Sequence, residues 1–210
     1  MAQRSYGQYC GLARALDVVG ARWSLLIVRE LLVGPARYNE LLNGLPGIAT
    51  NLLASRLREL EEVGVVARTL DTESNGVAYT LTPWGRELRD TVAALVKWST
   101  PLMISGPGED TFREHWLVVA LDALLRDRRT DEPTTIGFTV DDETVIVHVD
   151  ETGARVERGG EDPDTVLRGD SAVVLGLASG MLTVEQALAA SELRGRKSDL
   201  LAVFGGARVR

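Results

Sequence analysis

Apolar side chains recur at helical spacing through residues 12–63 and then change to strand-like runs, and that switch of period organises the first half of the chain. Leu12, Leu16 and Val19 share one helical face, closed by Gly20. Trp23, Leu26, Ile27, Leu31 and Leu32 repeat the spacing until Gly34-Pro35. Tyr38, Leu41 and Leu42 predict a short third helix, stopped by Gly44, Pro46 and Gly47. A fourth is predicted from about 50 to 63, with Leu52, Leu53, Leu57 and Leu60 as its inward stripe. Thr50 is placed to cap it and Gly64 to stop it. VVARTL (65–70) and VAYTLT (77–82) read as paired strands, and Asn75-Gly76 between them favours a hairpin. Pro83 opens a last helix, running through Leu88, Val92, Leu95 and Val96 to about Trp98.

The second half mixes periods. EDTFREHWLVVALDALLRDRR (109–129) predicts a long helix. TIGFTV, ETVIVHV and ARVERG (135–159) predict a three-stranded meander, and DTVLRG (164–169) a fourth strand. Segments 171–180, 183–192 and 198–206 read as helices, which makes this half α+β. Between the halves, Pro101, Gly106, Pro107 and Gly108 break the periodicity. The expected organisation is therefore a domain over 1–100, a linker over 101–108 and a second domain over 109–210.

Charge sharpens the division. The chain carries a formal net charge of −7, but residues 1–100 hold 11 Lys/Arg against 10 Asp/Glu, and residues 101–210 hold 12 against 20. Lys97 is the one lysine of the first half, so its positive charge is almost all guanidinium, the group that bonds phosphates and guanine edges bidentately. No apolar run is long enough to span a membrane, and the first residues lack the apolar core of an export signal. A single cysteine, Cys10, excludes an internal disulfide and fits a reducing, cytoplasmic setting.

Helix, turn, helix, hairpin and helix in this order make a winged helix-turn-helix, a shape that fits DNA. With the leucine stripe buried, helix 50–63 turns Thr50, Asn51, Ser55 and Arg58 outward, with Arg56 at the flank. These are short polar groups and guanidinium forks suited to bases and phosphates. Arg37 and Asn39 begin the preceding helix and can fix the phosphate backbone. Arg68, Thr69 and Asn75 lie on the hairpin and can reach the flanking groove. Double-stranded DNA is the expected partner. Such a domain reads few base pairs alone, so a homodimer on two half-sites is expected. Tyr6, Tyr9, Leu12, Val92, Leu95 and Trp98 are available for its interface or for the domain's own core.

Residues 9–98 resemble the HxlR family of winged-helix transcriptional regulators, relatives of the MarR type. The resemblance is carried by Cys10, by ALDVVGARWSLLIVRELLVGPARYNELLNGLPGIATNLLASRLRELEEVGVVAR and by YTLTPWG. It implies a dimer acting on an inverted-repeat operator, with Thr50, Asn51, Ser55 and Arg56 in the recognition helix and Arg68 in the wing. The wing departs from the family, which often has prolines where this chain has 72–76. The resemblance also implies redox or electrophile sensing by Cys10 in some members. That requires an accessible thiolate, which Arg14 one turn on can help to stabilise; the alternative is a small buried hydrophobe.

Residues 110–207 resemble, more loosely, the sterol carrier protein type 2-like fold. The resemblance rests on FTVDDETVIVHVDETG, DTVLRGDSAVVLGLASGMLTVEQALAA and ELRGRKSDLLAVFGG. It implies a helix-covered sheet with an apolar tunnel for a hydrophobic small-molecule effector. Leu175, Leu177, Met181, Leu182, Leu188, Leu200, Leu201 and Phe204 either line that cavity or fill a core. His115 and His148 have no partners at metal-ligand spacing, so no metal site is expected. No nucleophilic triad, phosphate-cradling loop or nucleotide fingerprint is present, so neither a cofactor nor an enzyme activity is called for. The alternative is an apolar-ligand carrier or enzyme whose winged helix is only an interaction module.

Overall fold

The computed structural model describes residues 5–71, 76–103, 106–161 and 163–205. By its internal contacts the chain falls into two units, 1–92 and 93–210, divided within one helix.

The first unit runs α1 (Gly11–Val19), α2 (Ser24–Val33), β1 (Ala36–Arg37), α3 (Tyr38–Gly44), α4 (Thr50–Glu62), β2 (Val66–Asp71), β3 (Gly76–Leu81), α5 (Pro83–Arg86) and the start of α6 (Leu88–Ser99). The strands form an antiparallel sheet in the order β1-β3-β2. Ile27, Val28, Leu31, Leu41, Leu53, Leu57, Leu60, Val65 and Leu81 are its buried core, so the leucine stripe faces inward as expected, although Leu52 is only half-buried.

Two expectations change here, and one element is new. Thr50 does not cap α4: Ala49 occupies that position without a side-chain bond, and Thr50 is already the first helical residue. The two-residue strand β1 was too short to register as a periodicity and exists because Ala36 and Arg37 pair with Tyr79 and Ala78. The helix from Pro83 is interrupted at Glu87. Its first turn is fixed separately, with the Thr82 hydroxyl accepting from the Gly85 N–H at 3.0 Å and donating to the Gly64 carbonyl at 2.7 Å. A Cβ on Gly85 would lie 2.1 Å from the Val65 carbonyl oxygen, so only glycine lets α5 approach the sheet this closely.

The second unit contains the rest of α6, a 3-10 turn (Thr100–Met103), α7 (Trp116–Leu125), β4 (Thr134–Val140), β5 (Glu143–Val149), β6 (Ala154–Arg158), β7 (Val166–Gly169), α8 (Ser171–Ser179), α9 (Val184–Ala189), β8 (Ser191–Arg194) and α10 (Lys197–Phe204). Its mixed sheet has the order β6-β5-β4-β7-β8, parallel only between β4 and β7. Ile136, Phe138 and Val140 of β4 and Val145, Val147 and Val149 of β5 point into one core with Leu117, Leu121 and Leu125 of α7. On the opposite face the β6–β7 connection crosses the sheet. A Cβ on Gly160 would meet Ile146 and one on Gly137 would meet Pro163, each at 3.3 Å.

The predicted helix 109–129 shrinks to α7 at both ends. Residues 109–115 offer Phe112 as their one large apolar group, too little to bury a helical face. At the other end the Arg126 carbonyl accepts from the Ala154 N–H, which diverts it from the next helical turn. Segment 183–192, read as one helix, ends at Ala189, and Ser191–Arg194 instead pairs with β7 along the sheet edge.

Candidate nucleic-acid interface

The groove-reading candidate is the outward side of α4, and its mounting begins in α2 and α3. The Tyr38 hydroxyl donates to the Thr50 carbonyl at 2.6 Å and ties the start of α4 to the start of α3. The intervening turn is anchored by the buried Leu45 and Ile48. Below it lies a charged pair that the sequence reading missed. Arg29 donates to Glu30 Oε1 through Nη2 at 2.6 Å and Nε at 3.0 Å, and Nη2 also reaches the Gly44 carbonyl at 3.4 Å. Burial pulls the Arg29 pKa down while the Glu30 carboxylate opposes the shift, and the guanidinium stays charged. A Cβ on Gly44 would sit 2.2 Å from Glu30 Oε2, so glycine at the end of α3 is what admits the buried carboxylate. Two charged residues interrupting the apolar run of α2 are the signal by which the sequence could have revealed this pair.

Thr50, Asn51 and Arg58 are exposed, and none of their side chains has a partner among the described residues. They share an edge with the free N–H groups of the first turn of α4, where the helix dipole favours a phosphate. Ser55 is half-buried and donates to Glu59 Oε1 at 3.0 Å. Arg56 turns back into the unit: Nη1 pairs with the Glu59 carboxylate and Nε donates to the Arg22 carbonyl at 3.2 Å. It clamps α4 to the approach of α2.

Arg37 pairs with Glu40 at 2.5 Å and its N–H donates to the same carboxylate at 2.7 Å, closing the first turn of α3. Asn39 is exposed beside it. Arg68 on β2 pairs with Glu61 at 2.9 Å and lies 5.8 Å from the centre of the Tyr79 ring. Thr69 is exposed on the same strand, and Asn75 lies outside the described residues.

Cys10 is exposed just before α1. The N–H groups of Ala13 and Leu12 hold its thiol below the usual range. The expected help from Arg14 is not the cause, since that guanidinium lies 3.7 Å from Asp17. Of the apolar groups considered for an interface, Tyr6, Tyr9, Leu12, Leu95 and Trp98 are exposed, whereas Val92 is buried in its own unit.

In the second unit Leu177 and Leu200 belong to the buried core, and Leu175, Leu188 and Phe204 pack against it. Leu182 covers Gly176, while Met181 and Leu201 are partly exposed. His148 lies between Thr135 at 3.1 Å and Glu157 at 2.8 Å on the sheet face away from the core. Among the described residues no cluster of His, Cys, Asp and Glu can hold a metal ion, and no helix is long and apolar enough to cross a membrane.

Comparison with known proteins bears on the first part of the chain. Residues 18–105 match the family described as HxlR-like helix-turn-helix. The uncharacterised HTH-type transcriptional regulator sll1512 of Synechocystis sp. is 38% identical over 92 residues, covering 43% of this chain and 68% of that protein. The similarly described YvaP of Bacillus subtilis is 38% identical over 88 residues, covering 41% and 82%. The solved reduced form of the transcriptional regulator YodB from B. subtilis is 33% identical and covers 47% of this chain and 99% of that one, with a TM-score of 0.40.

Proposed function

Because this chain belongs to the HxlR-like helix-turn-helix family, we propose that it is a DNA-binding transcriptional regulator whose first unit reads an inverted-repeat operator as a homodimer. One observation carries the reading. The edge of α4 that presents Thr50, Asn51 and Arg58 is polar, exposed and without internal partners, while its opposite stripe is locked into the core. A helix held this way offers donors and acceptors to base edges at no cost to the fold. Arg37 and Arg68 flank it as phosphate contacts, each held in place by its acidic neighbour, Glu40 and Glu61.

A second chain is required for specificity, because one recognition helix spans about one half-site. The exposed Tyr9, Leu12 and Leu16 at the N-terminal end of the unit support that assembly. The second unit is assigned to assembly or effector control, with its sterol-carrier likeness as the basis for an apolar effector.

The test is footprinting of the full chain on the DNA upstream of its own gene over a series of salt concentrations. A protected inverted repeat, with affinity falling as salt rises, is expected. Replacement of Arg58 by Ala should weaken operator binding by about 1–3 kcal/mol while leaving stability within about 0.5 kcal/mol. An unprotected upstream region at the lowest salt, or equal operator affinity in R58A, would overturn the reading.

A further inference from the structure

The first unit holds a groove of about 660 Å³ away from the α4 edge. Its long walls are two helical faces. Gly11, Arg14, Ala15 and Val18 line it from α1, and Trp84, Glu87, Leu88 and Thr91 from the α5–α6 run. Both sets follow the spacing of neighbours on one helix side. Val19 and Val65 also line it. Apart from Arg14, whose guanidinium faces Asp17, the α1 wall is built from the small Gly11 and Ala15 and from Val18, and a Cβ added to Gly11 would meet nothing within 4 Å. The space between the walls exists because α1 supplies no large apolar side chain to fill it.

Charge at the mouth is uneven. Asp17 is fully engaged: it accepts from the Ser5 hydroxyl at 3.0 Å and the Tyr6 N–H at 2.9 Å, and it faces Arg14 at 3.7 Å, offsetting that cation. The Glu87 carboxylate is exposed and has no partner among the described residues. One helical turn before it, Trp84 leaves 51% of its surface uncovered. A carboxylate and an indole both attract positive charge, and the aliphatic lining takes hydrocarbon.

We propose that this groove binds a lipophilic organic cation, an aromatic or quaternary onium compound, with its charge against Glu87 and its apolar body along Trp84, Leu88 and Val18. The volume is within the range of about 300–1,000 Å³ typical of small-molecule sites. The regulatory consequence rests on the DNA-binding reading. Val65 lies three residues beyond the end of α4 and carries the carbonyl against which Gly85 packs, so a ligand that parts the walls bears on the mounting of the recognition helix. Control then requires that the cation bind the DNA-competent and DNA-incompetent arrangements unequally.

The probe pair is tetraphenylphosphonium and tetraphenylborate, nearly the same shape with opposite charge, titrated calorimetrically into the full chain without DNA. The phosphonium should bind at one site per chain and the borate far more weakly. Glu87→Gln should weaken the phosphonium about tenfold, and Ala15→Leu, which fills the groove, should abolish its binding. Equal binding of both probes, or unchanged phosphonium binding in both variants, would overturn the proposal. So would a sedimentation result in which Ala15→Leu breaks a dimer and the phosphonium binds only dissociated chains, because the groove is then a subunit contact. Operator affinity without ligand should be the same in E87Q as in the parent. A protein that binds the phosphonium but protects no DNA defeats the regulator reading alone, and one that protects DNA but ignores the cation defeats the groove alone.

Discussion

The two parts of the chain treat their large apolar side chains in opposite ways. Up to residue 103, Tyr6, Tyr9, Leu12, Leu16, Leu26, Trp84, Leu95, Trp98, Leu102 and Met103 are among those left exposed. From Phe112 onward, Met181 and Leu201 are the exposed large apolar groups among the described residues. The β4–β5 ladder and α7 send every second or every fourth side chain into a single sealed core. An isolated exposed leucine needs no explanation, but a succession at helical spacing on α1 does. The later part closes nearly all its large apolar groups into its own core, whereas the earlier part leaves both a polar edge and apolar surface exposed.

The largest effect is expected where the later part is most self-contained. Phe138 is fully buried and meets Phe204 edge-on, with ring centres 6.0 Å apart. Phe138→Ala should cost about 3–5 kcal/mol, seen as a loss of hydrogen-exchange protection over 134–205. Unchanged protection there would mean that this core is less closed than its burial indicates.

The matching change in the earlier part should act on association instead. Leu12 and Leu16 lie on the exposed face of α1. Replacing both by Glu should weaken the dimer by about 2–4 kcal/mol, measured by sedimentation, while helix content stays the same. A variant that unfolds rather than dissociates would show that the face supports the chain's own fold.

A smaller effect tests the mounting of α4. Gly44→Ala places a methyl group against Glu30 and should cost about 1–3 kcal/mol of stability. It should also lower operator affinity, although Gly44 is buried and not part of the exposed edge. Loss of stability with full retention of DNA binding would separate the buried pair from the reading helix.

How far the sequence reached follows from where each structural decision is made. The stripe Leu53, Leu57 and Leu60 was legible because a helix that buries one face writes its period locally. The exposure of Thr50, Asn51 and Arg58 followed from the same stripe. Other outcomes are settled by distant partners. Arg56 turns inward because the Arg22 carbonyl, 34 positions earlier, accepts from it. Strand β8 forms because β7 has an unpaired edge, and α7 stops where Ala154 takes the Arg126 carbonyl. Gly137 reads as a weak point in β4 until Pro163 is found lying across it. The groove beside α1 left a faint trace in Gly11 and Ala15, but a void between two helices is recorded only in their packing.

The smallest effect concerns how the sealed part is tied at its edge. The buried Thr165 leads into β7, and its hydroxyl donates to Asp199 Oδ2 at 2.5 Å while accepting from the Arg196 N–H at 3.1 Å. Asp199 stands in the first turn of α10, so this carboxylate joins the start of that helix to the residue that leads into β7. The Thr165 bond, opposed by burial and assisted by Arg196, holds the Asp199 pKa below its ordinary value. A folded-state pKa below the unfolded value of about 3.9 stabilises the fold above that pH, and the stabilisation disappears as pH falls through the folded value. Asp199→Asn should therefore lower the stability of the second unit by up to about 1 kcal/mol at neutral pH. The difference from the parent should begin to close as pH falls below about 4 and vanish once pH has passed the lowered pKa of the folded carboxyl. Denaturation followed across that range distinguishes this tie from simple packing, because a packing defect would leave the two curves parallel at every pH.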